Sequence, residues 1–210
     1  MLIEVFPSGP FSTNAYLIAC EETKEAVVVD PSPGSFEAIA SFLAQHLLKI
    51  KKILLTHSHW DHIGDVAAIV KESGVGVYVH EHDAGNLKEP GSDGLPLFFA
   101  IEGVEPTGFF CEGDEIGVGN LKFLVIETPG HTPGGVCFYC DSEDVLISGD
   151  TLFKGSIGNL DFPTANAEEM WRSLDRLAKL PPQTKVYPGH GEATTIAEES
   201  WLSKAREIFG

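Results

Sequence analysis

The sequence predicts an α+β fold, a four-layer α/β/β/α sandwich. Two observations point to it. The 210-residue chain divides into two halves, and each runs through several strand-like segments before a helix. The strands in each half also need cover for their apolar faces. Two sheets packed face to face, with the helices outside, bury both sets. No interdomain linker or low-complexity tract interrupts the pattern. The expectation is one domain over residues 1–210, with an irregular insertion at about 88–108.

The elements follow in order. LIEVF, NAYLIA and AVVVD are short strands bounded by Gly, Pro, Ser or acidic residues. Ser35 is placed to cap a helix that carries Phe36, Ile39, Ala40, Leu43 and Leu47 at helical spacing. KKILLT is a strand of the buried type. A second helix is expected to start near His62, turn Val66, Ile69 and Val70 inward, and end at Gly74. VGVYVH is a strand and HDAGNL a turn or short helix. Residues 88–108 have no clean period and carry one apolar patch, Leu97 to Ile101; they read either as an insertion on the rim of the histidine cluster, a lid, or as an ordinary long surface loop. EIGVG, LKFLVIET, GGVCFYC and DVLISGD are the strands of the second half. Asn166 and Glu169 form a capping pair for a helix with Met170, Leu174 and Leu177 inward, which stops before Pro181. KVYP is a strand. A last helix is expected from about Thr195 to Phe209, with Thr195 and Glu198 as its capping box.

Composition is that of a globular protein with a sizeable core, 43% hydrophobic and 21% charged. Acids outnumber bases 31 to 14, for a formal charge of -17. Such a surface repels phosphate backbones, which argues against nucleic acid as a partner. Lys49, Lys51 and Lys52 are the only tight basic cluster. No apolar run is long enough to span a membrane. The first residues lack a basic, then apolar, signal pattern, so a cytoplasmic location is expected. Four cysteines are too few and too scattered for a disulfide framework. Cys137 and Cys140 lie on a strand at i and i+3, so their sulfurs face opposite sides.

THSHWDH packs His57, His59, Asp61 and His62 into six residues. Period-2 geometry at a strand end turns His57 and His59 the same way. Imidazole nitrogen and carboxylate oxygen are the natural ligands of zinc, and also of iron and manganese. Crowded together without a cation, they would desolvate one another at a cost. Similar residues recur at strand ends beside glycine: His131 in ETPGHT, Asp150 in ISGDT and His190 in VYPGHG. His80, His82 and His46 read as ordinary histidines.

The motif T-H-x-H-x-D-H, followed by His131, Asp150 and His190, resembles the metallo-β-lactamase superfamily over nearly the whole chain. PGHTPGG, SGDTLFKGSIGNLDFP and YPGHGEATTIAEE resemble, within it, the glyoxalase II-type thioesterases (hydroxyacylglutathione hydrolases) of the short form without a C-terminal helical domain. The resemblance implies two divalent cations, zinc first, with iron or manganese as the other candidates. One is held by His57, His59 and His131, the other by Asp61, His62 and His190, and Asp150 bridges them. It implies hydrolysis of a small-molecule thioester such as S-D-lactoylglutathione by a hydroxide between the ions, with Asp61 as catalytic proton acceptor. Lys154 and Asn159, in the loop after Asp150, are the substrate-binding candidates; Asn159 stands where related enzymes carry a basic residue. Thr56, Thr132, Thr151 and Asp30 are candidate supports behind the ligands. Two other readings stay open. A mononuclear iron persulfide dioxygenase would use His57, His131 and Asp150. A catalytically silent metal-binding protein would need no turnover.

Overall fold

The computed structural model describes residues 1–210. Strands β1 (Leu2–Ser8), β2 (Thr13–Ala19) and β3 (Glu25–Val29) form an antiparallel meander. Helix α1 (Phe36–His46) crosses back to β4 (Lys49–Leu54), parallel to β3. Two short helices, α2 (Trp60–Ile63) and α3 (Val66–Ser73), lead to β5 (Gly76–His80), and α4 (Ala84–Lys88) follows. Residues 89–107 carry no helix or strand and end in β6 (Gly108–Phe110), parallel to β5.

The second sheet begins with the antiparallel strands β7 (Glu115–Val118), β8 (Leu121–Glu127), β9 (Val136–Cys140) and β10 (Val145–Gly149). Helix α5 (Ala167–Leu177) crosses to β11 (Lys185–Pro188), parallel to β10. A two-residue β12 (Thr194–Thr195) closes the edge and α6 (Ala205–Phe209) ends the chain. The sheets are ordered β1-β2-β3-β4-β5-β6 and β12-β11-β10-β9-β8-β7.

Strand alternation separates the core into three seams. Tyr16, Ile18, Val27 and Val29 face Phe123, Phe138 and Cys140 between the sheets. Leu17, Ala26 and Val28 turn outward onto Ile39, Val66 and Ile69 of the first helical layer. Cys137 and Tyr139 turn the other way, onto Met170, Leu174 and Leu177 of α5. Three seams between four layers make the α/β/β/α sandwich that the pattern predicts. Cys137 and Cys140 therefore sit on opposite faces of β9, in different seams. No helix is long and apolar enough to cross a membrane.

Three local expectations change. Ser35 occupies the N-cap of α1, but its backbone is already helical (φ -80°, ψ -24°) and its hydroxyl makes no capping bond. The carboxylate of Asp65, distant in sequence, accepts from Phe36 N–H at 2.8 Å instead. The helix expected near His62 is two helices, broken at Gly64 and Asp65. A Cβ on Gly64 would lie 2.3 Å from Pro33 Cγ, and Asp65 N–H is spent on Pro31 O at 2.9 Å.

The third change is at the C-terminus, where residues 195–204 form no α-helix. Thr194 pairs with Val186, and the buried Glu199 accepts from Thr194 Oγ1 at 2.5 Å, from Gly155 N–H at 2.8 Å and from Trp201 Nε1. Those bonds, the one from Gly155 reaching across 44 positions, hold the segment in a turn. The Thr195–Glu198 contact exists, at 3.3 Å, yet it caps only that turn. Asn166 does cap α5, accepting from Glu169 N–H at 3.2 Å.

Candidate metal centre

All seven predicted ligands lie at one rim, on the loops that leave the carboxyl ends of β4, β8, β10 and β11. Donor atoms of His57, His59 and His131 fall within 4.8 Å of one another, and so do those of Asp61, His62 and His190. Asp150 stands between the two groups. Its Oδ1 is 3.4 Å from His62 Nε2, and its Oδ2 is 3.4 Å from both His131 Nε2 and His190 Nε2. Asp61 Oδ2 lies 3.3 Å from His190 Nε2 and 3.7 Å from His62 Nε2.

The polar satisfaction of these groups tests whether they fit metal ions. Nε2 of His57, His59, His62 and His131, and Oδ1 of Asp150, are buried and have no hydrogen-bond partner. Buried polar atoms are normally paired, so five orphans in one place require an explanation. Imidazole nitrogen and carboxylate oxygen around a common centre suit divalent cations of the zinc, iron and manganese type.

The opposite ring nitrogens are mostly held from behind. His62 Nδ1 is 3.0 Å from Asp30 Oδ2, His57 Nδ1 is 3.1 Å from Thr56 Oγ1, His131 Nδ1 is 2.9 Å from Asn159 O, and His190 Nδ1 is 3.2 Å from Phe11 O. Such partners fix ring orientation and tautomer at metal sites. Asp30 also groups geometrically with His57 and His62. Its carboxylate already accepts from Thr56 N–H at 2.8 Å and Thr56 Oγ1 at 2.6 Å, which makes it a brace and not a ligand.

Electrostatics divide the cluster. Burial, then the neighbouring His62, pushes His57 well below the usual histidine value; burial, then His131, takes His59 down to about 3. Both rings are neutral and ready to donate a lone pair. Burial works against the charged form of His62 as well, but Asp150 and Asp61 outweigh it and raise that ring. His190 behaves alike: burial lowers it, and hydrogen bonds to Asp150 and Asp61 bring it up to about 9. Burial favours a protonated Asp61, but the charge of His62 and a hydrogen bond from His190 lower it to about 2. Asp150 follows the same balance and lies well below the carboxylate range. The two carboxylates are thus anions that demand positive charge on their side of the centre.

Two glycines make the approach possible. A Cβ on Gly189, next to His190, would lie 2.1 Å from Asp150 Oδ1, and one on Gly158 would lie 2.8 Å from His131 Nδ1. At Gly189 this close approach is why glycine precedes the ligand in sequence; Gly158 reaches His131 from a distant loop.

The remaining candidates are placed as follows. Lys154 is exposed and bonds Glu192 at 2.7 Å. Asn159 offers its carbonyl to His131, while its side-chain oxygen accepts from Asp161 N–H at 2.8 Å. Thr56 touches His57, but Thr151 bonds Thr128 at 2.8 Å and no ligand. Trp60, between two ligands, packs on the 88–108 segment, 5.3 Å from Phe98 and 5.5 Å from Phe99. His80 and His82 stay outside the centre; His80 pairs with Glu127 at 3.2 Å.

Three supports and one further carboxylate escape a reading of the sequence. Thr13 Oγ1 donates to Asp61 Oδ2 at 2.7 Å. Asn14 Nδ2 ties the His190 loop through Pro188 O and Gly191 O. Asp83 clamps two ligand loops, accepting from Ser58 N–H at 3.0 Å and Gly134 N–H at 2.7 Å. Asp93, steadied by Asn86 Nδ2 at 2.9 Å, brings Oδ2 to 4.0 Å from His59 Nε2. Each comes from a segment far along the chain with no ligand-like motif of its own. Only the strand-end position of Asp83, after VYVH, carried any hint.

Comparison with known proteins agrees with this geometry. The chain is 38% identical over 204 residues to an uncharacterized protein of Aquifex aeolicus, covering 95% of this chain and 94% of the relative. It is 34% identical to the probable metallo-hydrolase YqgX of Bacillus subtilis, covering 92% of each. It is also 34% identical to the hydroxyacylglutathione hydrolase GloC of Haemophilus influenzae, covering 95% of each. Among solved structures, the BLEG-1 B3 metallo-beta-lactamase superposes with a TM-score of 0.89 at 33% identity over 100% of both chains. TTHA1623 in a di-iron-bound form gives 0.82 at 37%, covering 94% of this chain and 96% of that one. ETHE1 from Myxococcus xanthus gives 0.79 at 30%, covering 100% and 88%. The sequence matches the Metallo-beta-lactamase superfamily over residues 8–190. With its paired histidine–carboxylate clusters set at the ends of a two-sheet sandwich, this chain belongs to the metallo-β-lactamase superfamily of hydrolase-like, metal-using proteins.

Proposed function

We propose that the protein is a thioester hydrolase of the glyoxalase II type, working with two divalent cations and accepting substrates of the S-D-lactoylglutathione class. The observation that carries the two-ion part is the set of buried donor atoms that lack any partner and face one another in two groups around Asp150. Similarity to the Haemophilus influenzae hydroxyacylglutathione hydrolase over 95% of both chains supports the thioester part. His57, His59 and His131 would hold one ion and Asp61, His62 and His190 the other, with Asp150 shared. When bound, such ions supply Lewis acidity toward a carbonyl oxygen and make water acidic near neutral pH.

The chain's own groups do the rest. Thr13 and His190 orient Asp61, whose carboxylate is the proton acceptor in this reading. Asp30 and Thr56 keep the rings of His62 and His57 aimed inward. Lys154 and Asn159, on the loop after β10, form the polar side of the substrate path, with Lys154 exchanging Glu192 for a substrate carboxylate.

The test is metal analysis of the purified protein together with hydrolysis of S-D-lactoylglutathione. Two ions per chain and turnover lost in Asp61→Ala are expected. Turnover unchanged by Asp61→Ala overturns the two-ion arrangement, and no hydrolysis of any thioester overturns the activity. One rival stays open, a mononuclear iron dioxygenase using His57, His131 and Asp150. One iron per chain with oxygen consumption on a persulfide would replace the hydrolase reading.

A further inference from the structure

The loop after β10 brings Lys154 and Asn159 to the rim beside Phe153 and Phe162, half-buried rings 5.8 Å from His190 and 5.4 Å from His59. A second and more exposed aromatic group lies around Trp60. Trp60, 4% exposed, lies in the chain between His59 and Asp61. Three rings surround it: Phe11 at 5.3 Å, Phe98 at 5.3 Å and Phe99 at 5.5 Å. Phe11 and Phe98 also meet edge to face at 6.1 Å. Phe11 comes from the β1–β2 turn and Phe98 and Phe99 from the 88–108 segment, so two unrelated loops converge on one tryptophan. Their outer faces remain open to solvent: Phe98 is 68% exposed, Phe11 53% and Phe99 38%.

Single exposed aromatics need no explanation, whereas a contiguous group beside a polar, concave centre marks a binding surface. The patch is continuous with the centre, because the carbonyl of Phe11 accepts from Nδ1 of His190 at 3.2 Å. It also offers nothing to an anion. The single cation within residues 88–108 is Lys88, and it is paired with Glu105 at 2.9 Å.

We propose that this aromatic flank receives the acyl group of the substrate, and that the preferred thioesters carry an apolar acyl chain or an arylalkyl acyl group. The proposal rests on the thioester reading of the centre. The reaction balances as an ordinary hydrolysis. The carbon–sulfur bond breaks, a carbon–oxygen bond forms from water, the thiolate takes up a proton, and the acyl group leaves as a carboxylate. An acyl chain lying over Phe98 and Phe11 covers open ring faces and its own methylenes at once. Burial of a methylene is worth about 0.8 kcal/mol, close to fourfold in affinity, and a half-covered site yields about twofold.

The experiment is a series of thioesters of one thiol, N-acetylcysteamine, with acetyl, butyryl, hexanoyl, octanoyl and phenylacetyl groups, assayed with the metal-loaded protein. The kcat/KM is expected to rise about twofold or more per methylene to hexanoyl, mainly through KM. Phe98→Ser should flatten that slope, whereas Phe109→Ser, at an exposed ring on β6, should leave it intact. Hydrolysis across the series with no dependence on chain length overturns the flank and keeps the thioester reading. If S-D-lactoylglutathione is hydrolysed and no member of the series is, the flank is overturned; if neither is hydrolysed, the thioester reading falls. Calorimetric binding of the matching non-hydrolysable thioethers then decides the flank: affinity that does not grow with chain length overturns it. Dimerisation abolished by Phe98→Ser, beside a flat series, assigns the patch to a second copy of the chain and also overturns the proposal.

Discussion

Asp30 is the brace whose removal should be felt most widely. It is 1% exposed and accepts three bonds: from Thr56 N–H at 2.8 Å, Thr56 Oγ1 at 2.6 Å and His62 Nδ1 at 3.0 Å. Asp30→Ala deletes the acceptor and leaves all three donors buried. Each unsatisfied donor costs about 1–3 kcal/mol. The three share one network and their costs overlap, so the expected loss of stability is about 3–5 kcal/mol. Total stability of a domain is about 5–15 kcal/mol, which makes that a large fraction.

Backbone geometry adds a second prediction to the first. Asp30 has a φ of 49°, a region where a Cβ costs about 1–2 kcal/mol. Asp30→Gly loses the same bonds without that strain and should be about 1 kcal/mol more stable than Asp30→Ala. Metal affinity should fall about 10–100-fold in both variants, because His62 loses its orienting partner. Urea unfolding monitored by circular dichroism measures the first quantity and chelator competition the second. An Asp30→Ala protein within about 1 kcal/mol of the parent and with unchanged affinity would refute the reasoning.

Three further outcomes can be checked. Gly189→Ala pushes a methyl to 2.1 Å from Asp150 Oδ1 and 2.8 Å from His62 Cε1; it should fold with a normal far-ultraviolet spectrum and lose at least about tenfold in metal affinity, equivalent to an overpacking cost of about 1–3 kcal/mol. Normal metal binding by that variant would show that the loop yields freely. Thr13→Val removes the hydroxyl that donates to Asp61 Oδ2 at 2.7 Å and should weaken metal binding about 10–100-fold, whereas equal affinity would leave Thr13 with no part in orienting that carboxylate. Chelation should lower the thermal midpoint of the holoprotein. Ions held at about 1,000 times their dissociation constant contribute about 4 kcal/mol, which for this size is about 10 °C; a midpoint unmoved by chelator would mean that the centre holds no ion in the native state.

Apart from the short edge strands β6 and β12, the order of strands and helices was legible in the sequence because alternation and helical spacing are local properties. Val27 and Val29 point to one seam and Ala26 and Val28 to the other for no reason beyond the strand period. What failed was what depends on distant partners. Ser35 was the natural cap of α1 until Asp65 took the job. The C-terminal helical pattern from Thr195 was overruled by Glu199, pinned by Thr194, Gly155 and Trp201. The bonds from Phe36 to Asp65 and from Gly155 to Glu199 join residues 29 and 44 positions apart, and no short window of sequence contains both ends.

For the centre itself, the sequence alone determined which ligand-type side chains would gather, since THSHWDH and the three Gly-flanked strand ends declare such residues where a fold does not need them. The tertiary structure alone decided which nitrogen of each ring faces inward, that Asp150 stands between the two groups, and that Thr13 and Asp83 hold the arrangement from behind. It also decided that Trp60 lies against Phe98 and Phe99. The physical reason is reach: residue type and local spacing are written along the chain, whereas hydrogen-bond partners and ring orientations exist only once the two sheets have brought remote loops to the same rim.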